Sequence, residues 1–185
     1  LFKPEHFPAS ERAEKQAAMF PRELFPSFVA NARARGLLAG ASVFDDEAVS
    51  LCRQADFIKL ATREEHNVLL RLKVWFAGPP VYRSVDWRLL RRKPLRLPRE
   101  TTMGCIPEYP ARETFGAKWL TEKLPKPYGW SSHSGHGKDC IRAARERASA
   151  VEAHLCLSSD NPEWLWSLDP MAFNGMARAV RQAGR

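Results

Sequence analysis

Two histidines stand where imidazole could do chemistry. His133 lies in Tyr128-Gly-Trp-Ser-Ser-His-Ser134, and His154 lies in Ala150-Val-Glu-Ala-His-Leu-Cys-Leu157. Each falls at or just past the end of a short apolar run that reads as a strand, and Lys138–Ala148 between them reads as a helix. Strand, crossover helix and strand make a βαβ unit, whose two strands run parallel. As neighbours they would lie ~5 Å apart and deliver both imidazoles to one C-terminal edge. That spacing suits two ligands of a single divalent metal. It equally suits one core histidine and one loop histidine with no ligand role, since spacing without the fold does not choose.

The elements that must position these histidines follow from composition and periodicity. The chain has 185 residues, 44% of them hydrophobic, enough for one substantial core and one domain. No apolar run approaches the ~20 residues of a membrane span, and the start carries no signal-peptide pattern. Leu1 is not an initiator methionine, so residues are expected before it. Cys52, Cys105, Cys140 and Cys156 are scattered, which argues against a zinc ribbon and for a reducing, cytoplasmic compartment. The net charge of +8 favours anionic partners, a phosphorylated metabolite or a nucleic acid.

Along the chain, strands alternate with helices. Ser10–Phe20 reads as a polar helix stopped at Pro21. Arg22–Arg35 reads as a second helix, with Leu24, Phe28 and Val29 on one face and Gly36 as its stop. Strands are expected at Leu37–Val43, Asp56–Ala61, Val81–Val85, Thr101–Ile106, Pro127–Ser131 and Ala150–Leu157. Asp45 reads as the N-cap of a helix through Arg53, and a further helix runs from about Glu65 to Phe76. Asp169-Pro170 opens the last helix, whose apolar face is Phe173, Met176, Ala177 and Val180.

This alternation indicates an α/β fold with a parallel sheet. No Gly-x-Gly-x-x-Gly turn follows any strand, which removes the usual sign of a dinucleotide fold. Polar residues gather after strand ends instead: Ser42, Thr62, Glu64, Ser84, Tyr109, Ser131, His133 and His154. A (β/α) barrel of the TIM type places its active site at that rim. Six strands make the barrel incomplete, with the visible strands as its third to eighth and two βα units preceding Leu1.

With the strand ends laid out, the chain resembles the N-acetylneuraminate (sialic acid) synthases. Ala41-Ser-Val-Phe-Asp45 is similar to that family's S-T-P-F-D turn, and Lys59-Leu-Ala-Thr-Arg-Glu64 to its K-I-x-S-x-E strand end. Cys105-Ile-Pro-Glu-Tyr-Pro-Ala111 resembles C-T-x-x-Y-P, Gly129-Trp-Ser-Ser-His133 resembles G-Y-S-D-H, and Val151-Glu-Ala-His154 resembles I-E-K-H. Ser167-Leu-Asp-Pro170 matches the S-L-x-P before the last barrel helix. Six motifs in order, over essentially the whole chain, make the resemblance specific.

The resemblance implies a chemistry. Such enzymes condense phosphoenolpyruvate with N-acetylmannosamine or a related N-acetylated amino sugar. A divalent metal, Mn²⁺ or Mg²⁺, polarises the sugar aldehyde; here His133 and His154 would hold it. Lys59 would face the phosphate or carboxylate of phosphoenolpyruvate, with Ser42, Thr62, Ser84, Tyr109 and Ser131 donating to the same anion, and Glu64 would hold the sugar. Lys59, Glu64 and Tyr109 form the catalytic set on this reading. Spread donors plus one ammonium match a multiply charged oxyanion. Taken singly, the same residues also read as a solvated lysine, capping serines, a first-turn helix acid and a packed loop aromatic. The resemblance also implies a homodimer, and no membrane contact.

The departures define the rival readings. Ser132 stands where the family has aspartate, Ala153 where it has lysine, Pro107 where some members have asparagine, and Asn161-Pro-Glu-Trp164 replaces G-P-D-H. The family's first strand, with its E-x-x-N-H-N-G glutamate, would precede Leu1, and its C-terminal antifreeze-like domain does not appear. These changes leave room for a barrel that binds or scaffolds without catalysis. Seven arginines and lysines lie from Arg83 to Arg99, interleaved with leucines and Trp87 and broken by prolines. That stretch reads as a solvated insertion whose leucines cover core where a helix is lost, or as a nucleic-acid contact.

Overall fold

The computed structural model describes residues 1–185 except 2, 18, 91, 113–118 and 185. Ala18 of the first expected helix and Arg91 of the basic stretch therefore lie outside the described residues. The chain divides into two compact units, Leu1–Arg83 with Leu97–Arg99, and Ser84–Arg96 with Glu100–Arg185.

In the first unit, helices α1 (Arg12–Ala17) and α2 (Phe25–Ala34) precede strand β1 (Gly40–Ser42). Helix α3 (Asp46–Leu51), β2 (Phe57–Leu60), α4 (Val68–Ala77) and the start of β3 (Val81–Asp86) follow. β1 pairs with β2 and β2 with β3, all parallel. The side chains sort by alternation. Val43, Ile58, Leu60 and Val81 join Phe25, Val29, Val49, Leu70 and Val74 in one core against the helices, so Phe57 and Lys59 project to the other face. Asp45 caps α3 as expected, its Oδ1 accepting from the Ala48 N–H at 2.8 Å, and the Arg22 fork grips the same carboxylate. Burial alone would push Asp45 up; the Arg22 and Ala48 hydrogen bonds outweigh it and hold the carboxyl below its usual range.

The α2 face differs from expectation. Phe25 and Val29 are buried, whereas Leu24 and Phe28 are exposed. The helix begins at Phe25, which puts Leu24 at its N-cap, and the i, i+4 pair Phe25/Val29 takes the core-facing line. Leu37 and Leu38 are exposed coil before a strand that starts only at Gly40.

In the second unit, β4 (Glu100–Cys105), helix α5 (Trp119–Lys123), β5 (Tyr128–Ser132), α6 (Lys138–Arg145) and β6 (Ala150–Leu155) follow one another. They lead to a two-residue strand β7 (Ser167–Leu168) and helix α7 (Pro170–Ala183). β4 pairs with β5, β5 with β6 and β6 with β7, all parallel. Within both units the strands neighbour one another in sequence order. That is the singly wound progression of (β/α) barrels, without the reversal of a doubly wound sheet. β7 was not among the six expected strands, because two residues carry no period. Val85, Ile106, Leu120, Leu124, Tyr128, Trp130, Cys140, Ala143, Leu168 and Met176 form the core under the helices. All four cysteines are buried free thiols.

The basic stretch straps itself down. Within the second unit, the Arg88 fork grips Asp86 and reaches Glu108, Lys93 donates to the Thr121 carbonyl, and Arg96 to that of Glu100. In the first unit, Arg99 donates to the Trp75 and Gly78 carbonyls. Leu90 packs on the core, but Leu89 and Leu95 stand exposed, so the leucines cover it only in part.

Candidate active site

The second unit gathers its chemistry on the face of the sheet away from the helices. Because Tyr128 and Trp130 are in the helix-side core, alternation turns Gly129, Ser131 and His133 the other way. In the β5–β6 register Ser131 lies beside Glu152 and Ser132 beside Ala153, so Glu152 and His154 share the face of Ser131 and His133. Val85 is in the same core, which turns Ser84 and Asp86 to the open face too. Ser84, Ser131 and His133 are all buried.

His133 and His154 converge. Their ring centroids are 5.4 Å apart at an interplanar angle of 68°. The ring of Tyr109, on the loop after β4, stacks on His133 at 4.2 Å and meets His154 edge-on at 6.0 Å. Trp166, just before β7, meets Tyr109 edge-on at 5.5 Å. The β4 loop also fixes His133 through its backbone and ring: the Ala111 N–H donates to the His133 carbonyl at 2.8 Å, and His133 Nδ1 lies 2.7 Å from the Ile106 carbonyl. Across from it, His154 Nδ1 lies 3.1 Å from Glu163 Oε2.

Both Nδ1 contacts are with acceptors, so each ring donates from Nδ1, and in the neutral ring this leaves the lone pair on Nε2. A metal-binding histidine is prepared in the same way, with the far nitrogen held by a carbonyl or carboxylate. The spacing agrees. Two imidazoles binding one ion through Nε2 at about 2.1 Å put their centroids about 4.5–5.5 Å apart. Among the described residues no group of three or more His, Cys, Asp or Glu could hold an ion, so His133 and His154 are at most two of an ion's ligands. The donor set fits a divalent ion of open coordination. Cys140 does not compete: burial, and then the Asp139 carboxylate, push its thiol up to about 12.

Beneath His133 the helix-side face is knitted by a polar network. Asp139, buried on α6, accepts from Trp130 Nε1 at 2.8 Å and from Ser134 Oγ at 3.0 Å. Ser134 in turn meets Ser132 at 3.0 Å. Gly137 opens α6 with a left-handed φ of 65°, and a Cβ there would strike Met176 at 2.7 Å. Ser132 and Ala153 therefore face the helices. Neither departure lies on the face that carries the histidines.

In the first unit Ser42 is the register partner of Lys59, so hydroxyl and buried ammonium share one face at the ends of β1 and β2. Thr62 and Glu64 sit in the 3₁₀ turn just after β2. Glu64 Oε2 accepts from Asn67 Nδ2 at 2.9 Å, and Asn67 caps α4 by accepting from the Leu70 N–H. Sequence reasoning did not single out Glu152, Glu163, Trp166 or Ser167 as site residues. Glu152 and Ser167 were in quoted motifs, yet only strand register puts them beside Ser131 and His154.

No protein-family model matches this chain, and no curated protein matches it significantly in sequence. Solved structures match its fold. The N-acetylneuraminic acid (sialic acid) synthetase of Leptospira borgpetersenii serovar Hardjo-bovis, in complex with citrate, superposes with a TM-score of 0.78 at 17% identity, over 97% of this chain and 69% of that one. The spore coat polysaccharide biosynthesis protein E of Chromobacterium violaceum gives 0.74 at 21% identity, over 96% and 57%. A phospho-2-dehydro-3-deoxyheptonate aldolase (DAHP synthase) of Thermotoga maritima gives 0.65 at 13% identity, over 87% and 55%. This chain thus spans about three-fifths to two-thirds of the first two, and its fold is that of the sialic acid synthetase and its structural neighbours.

Proposed function

We propose that this protein is a sialic acid synthase-type transferase joining phosphoenolpyruvate to the aldehyde of an N-acetylated amino sugar. The methylene carbon of phosphoenolpyruvate bonds to the aldehyde carbon, water adds at the enol carbon, and phosphate leaves, giving a keto acid. The observation that carries the reading is the His133–His154 pair on adjacent parallel strands, each ring anchored through Nδ1.

A divalent ion, Mn²⁺ or Mg²⁺, held by His133 and His154, would supply Lewis-acid polarisation of the aldehyde oxygen. The chain's own groups do the rest. The Ile106 carbonyl and Glu163 keep the imidazole lone pairs on Nε2. Tyr109 holds the plane of His133 by stacking. Ser84 and Ser131 offer hydroxyls on the same face of the second unit. Within the first unit, Ser42, Lys59 and Thr62 at the strand ends offer hydroxyls and an ammonium of the kind the phosphoenolpyruvate anion requires. Superposition on sialic acid synthetase supports the reading at the level of the fold.

The test is direct. Protein, phosphoenolpyruvate, N-acetylmannosamine and Mn²⁺ should release inorganic phosphate only when all are present, with stoichiometric keto acid by mass spectrometry. His154→Ala should abolish it. Absence of phosphate release from wild type with any of Mn²⁺, Mg²⁺ or Co²⁺ would overturn the reading.

A further inference from the structure

Ser167 is the register partner of His154, so in this parallel pair its side chain emerges on the same face. It is 7% exposed, and its Oγ is buried without a hydrogen-bond partner among the described residues. The indole Nε1 of the adjacent Trp166 is likewise buried and without a partner there, while its ring packs against Tyr109. Leaving a buried donor unsatisfied is costly, and such groups are few in native folds. Two in consecutive residues, one beside His154 and the other against the tyrosine that covers His133, mark a place prepared for a ligand oxygen.

We propose that Trp166 Nε1 and Ser167 Oγ form a subsite that selects a hydroxyl-bearing carbonyl co-substrate. The inference rests on the transferase reading and names, within it, the residues that choose the sugar. An indole N–H only donates, so the ligand atom it meets must accept; a serine hydroxyl donates and accepts. A chain of hydroxyl groups satisfies both at once, and an aliphatic aldehyde satisfies neither. The rings of Trp166 and Tyr109 offer apolar surface to the C–H groups of the same chain.

The experiment uses N-acetylmannosamine with Mn²⁺, without phosphoenolpyruvate, on the whole chain. The protein has six tryptophans, so the indole N–H resonances form a short set in which Trp166→Phe identifies the one belonging to Trp166. That resonance should move on addition of the sugar. Trp166→Phe and Ser167→Ala should each weaken sugar binding about tenfold, the size of one lost hydrogen bond. Their manganese affinity and their thermal shift with phosphoenolpyruvate should stay within about twofold of wild type. Should Trp166→Phe fail to fold, Ser167→Ala with its matching melting curve decides. Equal sugar affinity in wild type and Ser167→Ala, or an unmoved Trp166 resonance at tens of millimolar sugar, overturns the subsite. A wild type that responds to manganese and phosphoenolpyruvate while failing this test sinks the subsite alone; one that responds to neither sinks the transferase reading.

Discussion

The two faces of β5 and β6 are built from the same ten-odd residues and obey opposite rules. On the helix side, Tyr128, Trp130, Val151 and Ala153 pack into the core, and the buried Asp139 is held by Trp130, Ser134 and its own helix. On the other side stand Ser131, His133, Glu152 and His154, with Ser167 next door on β7 carrying a hydroxyl that has no partner among the described residues. One face is apolar core whose buried Asp139 carboxylate is hydrogen-bonded internally, as stability requires. The other keeps groups set for something outside the chain. A strand period of two is enough to separate scaffold from chemistry along six residues.

The contrast predicts where substitutions act. The largest effect should come from the scaffold face: Trp130→Ala removes a buried indole and one of the donors to Asp139, and should cost about 3–5 kcal/mol in urea unfolding. A loss under about 1 kcal/mol would break the comparison. On the open face, His133→Ala and His154→Ala should reduce Mn²⁺ affinity by about a hundredfold in calorimetric titration while changing unfolding free energy by only about 1 kcal/mol. Equal manganese binding by all three proteins would end the metal reading. Glu163→Gln should weaken manganese about tenfold, since a neutral amide holds the His154 tautomer less firmly.

The smallest effect lies in the first unit. Asp45→Ala should cost about 1 kcal/mol through loss of the α3 cap, with manganese binding unchanged. The carboxyl of Asp45 is held below its ordinary range in the fold, so its contribution is present above its unfolded pKa and is lost as pH falls through the folded one. Wild type should therefore lose stability below about pH 4, and Asp45→Ala should lose less over that interval. Parallel pH–stability curves for the two proteins would contradict the cap.

Much of this was legible in the residues. The caps at Asp45 and Asp169, the helix expected over Lys138–Ala148 and found over Lys138–Arg145, and the places of all six expected strands are set by local signals: a short acceptor side chain, a proline at N1, an apolar run. The convergence of His133 and His154 was expected, because the βαβ connection leaves adjacent parallel strands little freedom, whereas the stacking of Tyr109 on His133 was not. Strand limits were less legible. Leu37 and Leu38 are apolar yet exposed, and hydrophobicity alone extended β1 over them.

Sequence by itself determined the alternation of strand and helix, the polar residues after strand ends and the pair of histidines. Tertiary structure alone decided which way each of those residues faces. It turned Ser132 and Ala153 toward the helices and away from the histidines, and it paired two-residue β7 with β6 so that Ser167 stands beside His154. It also gave Lys93, Arg96 and Arg99 of the basic stretch backbone carbonyls to hold. The physical reason is that facing depends on register, and register is fixed by hydrogen bonds between strands far apart in the chain, which no local pattern encodes.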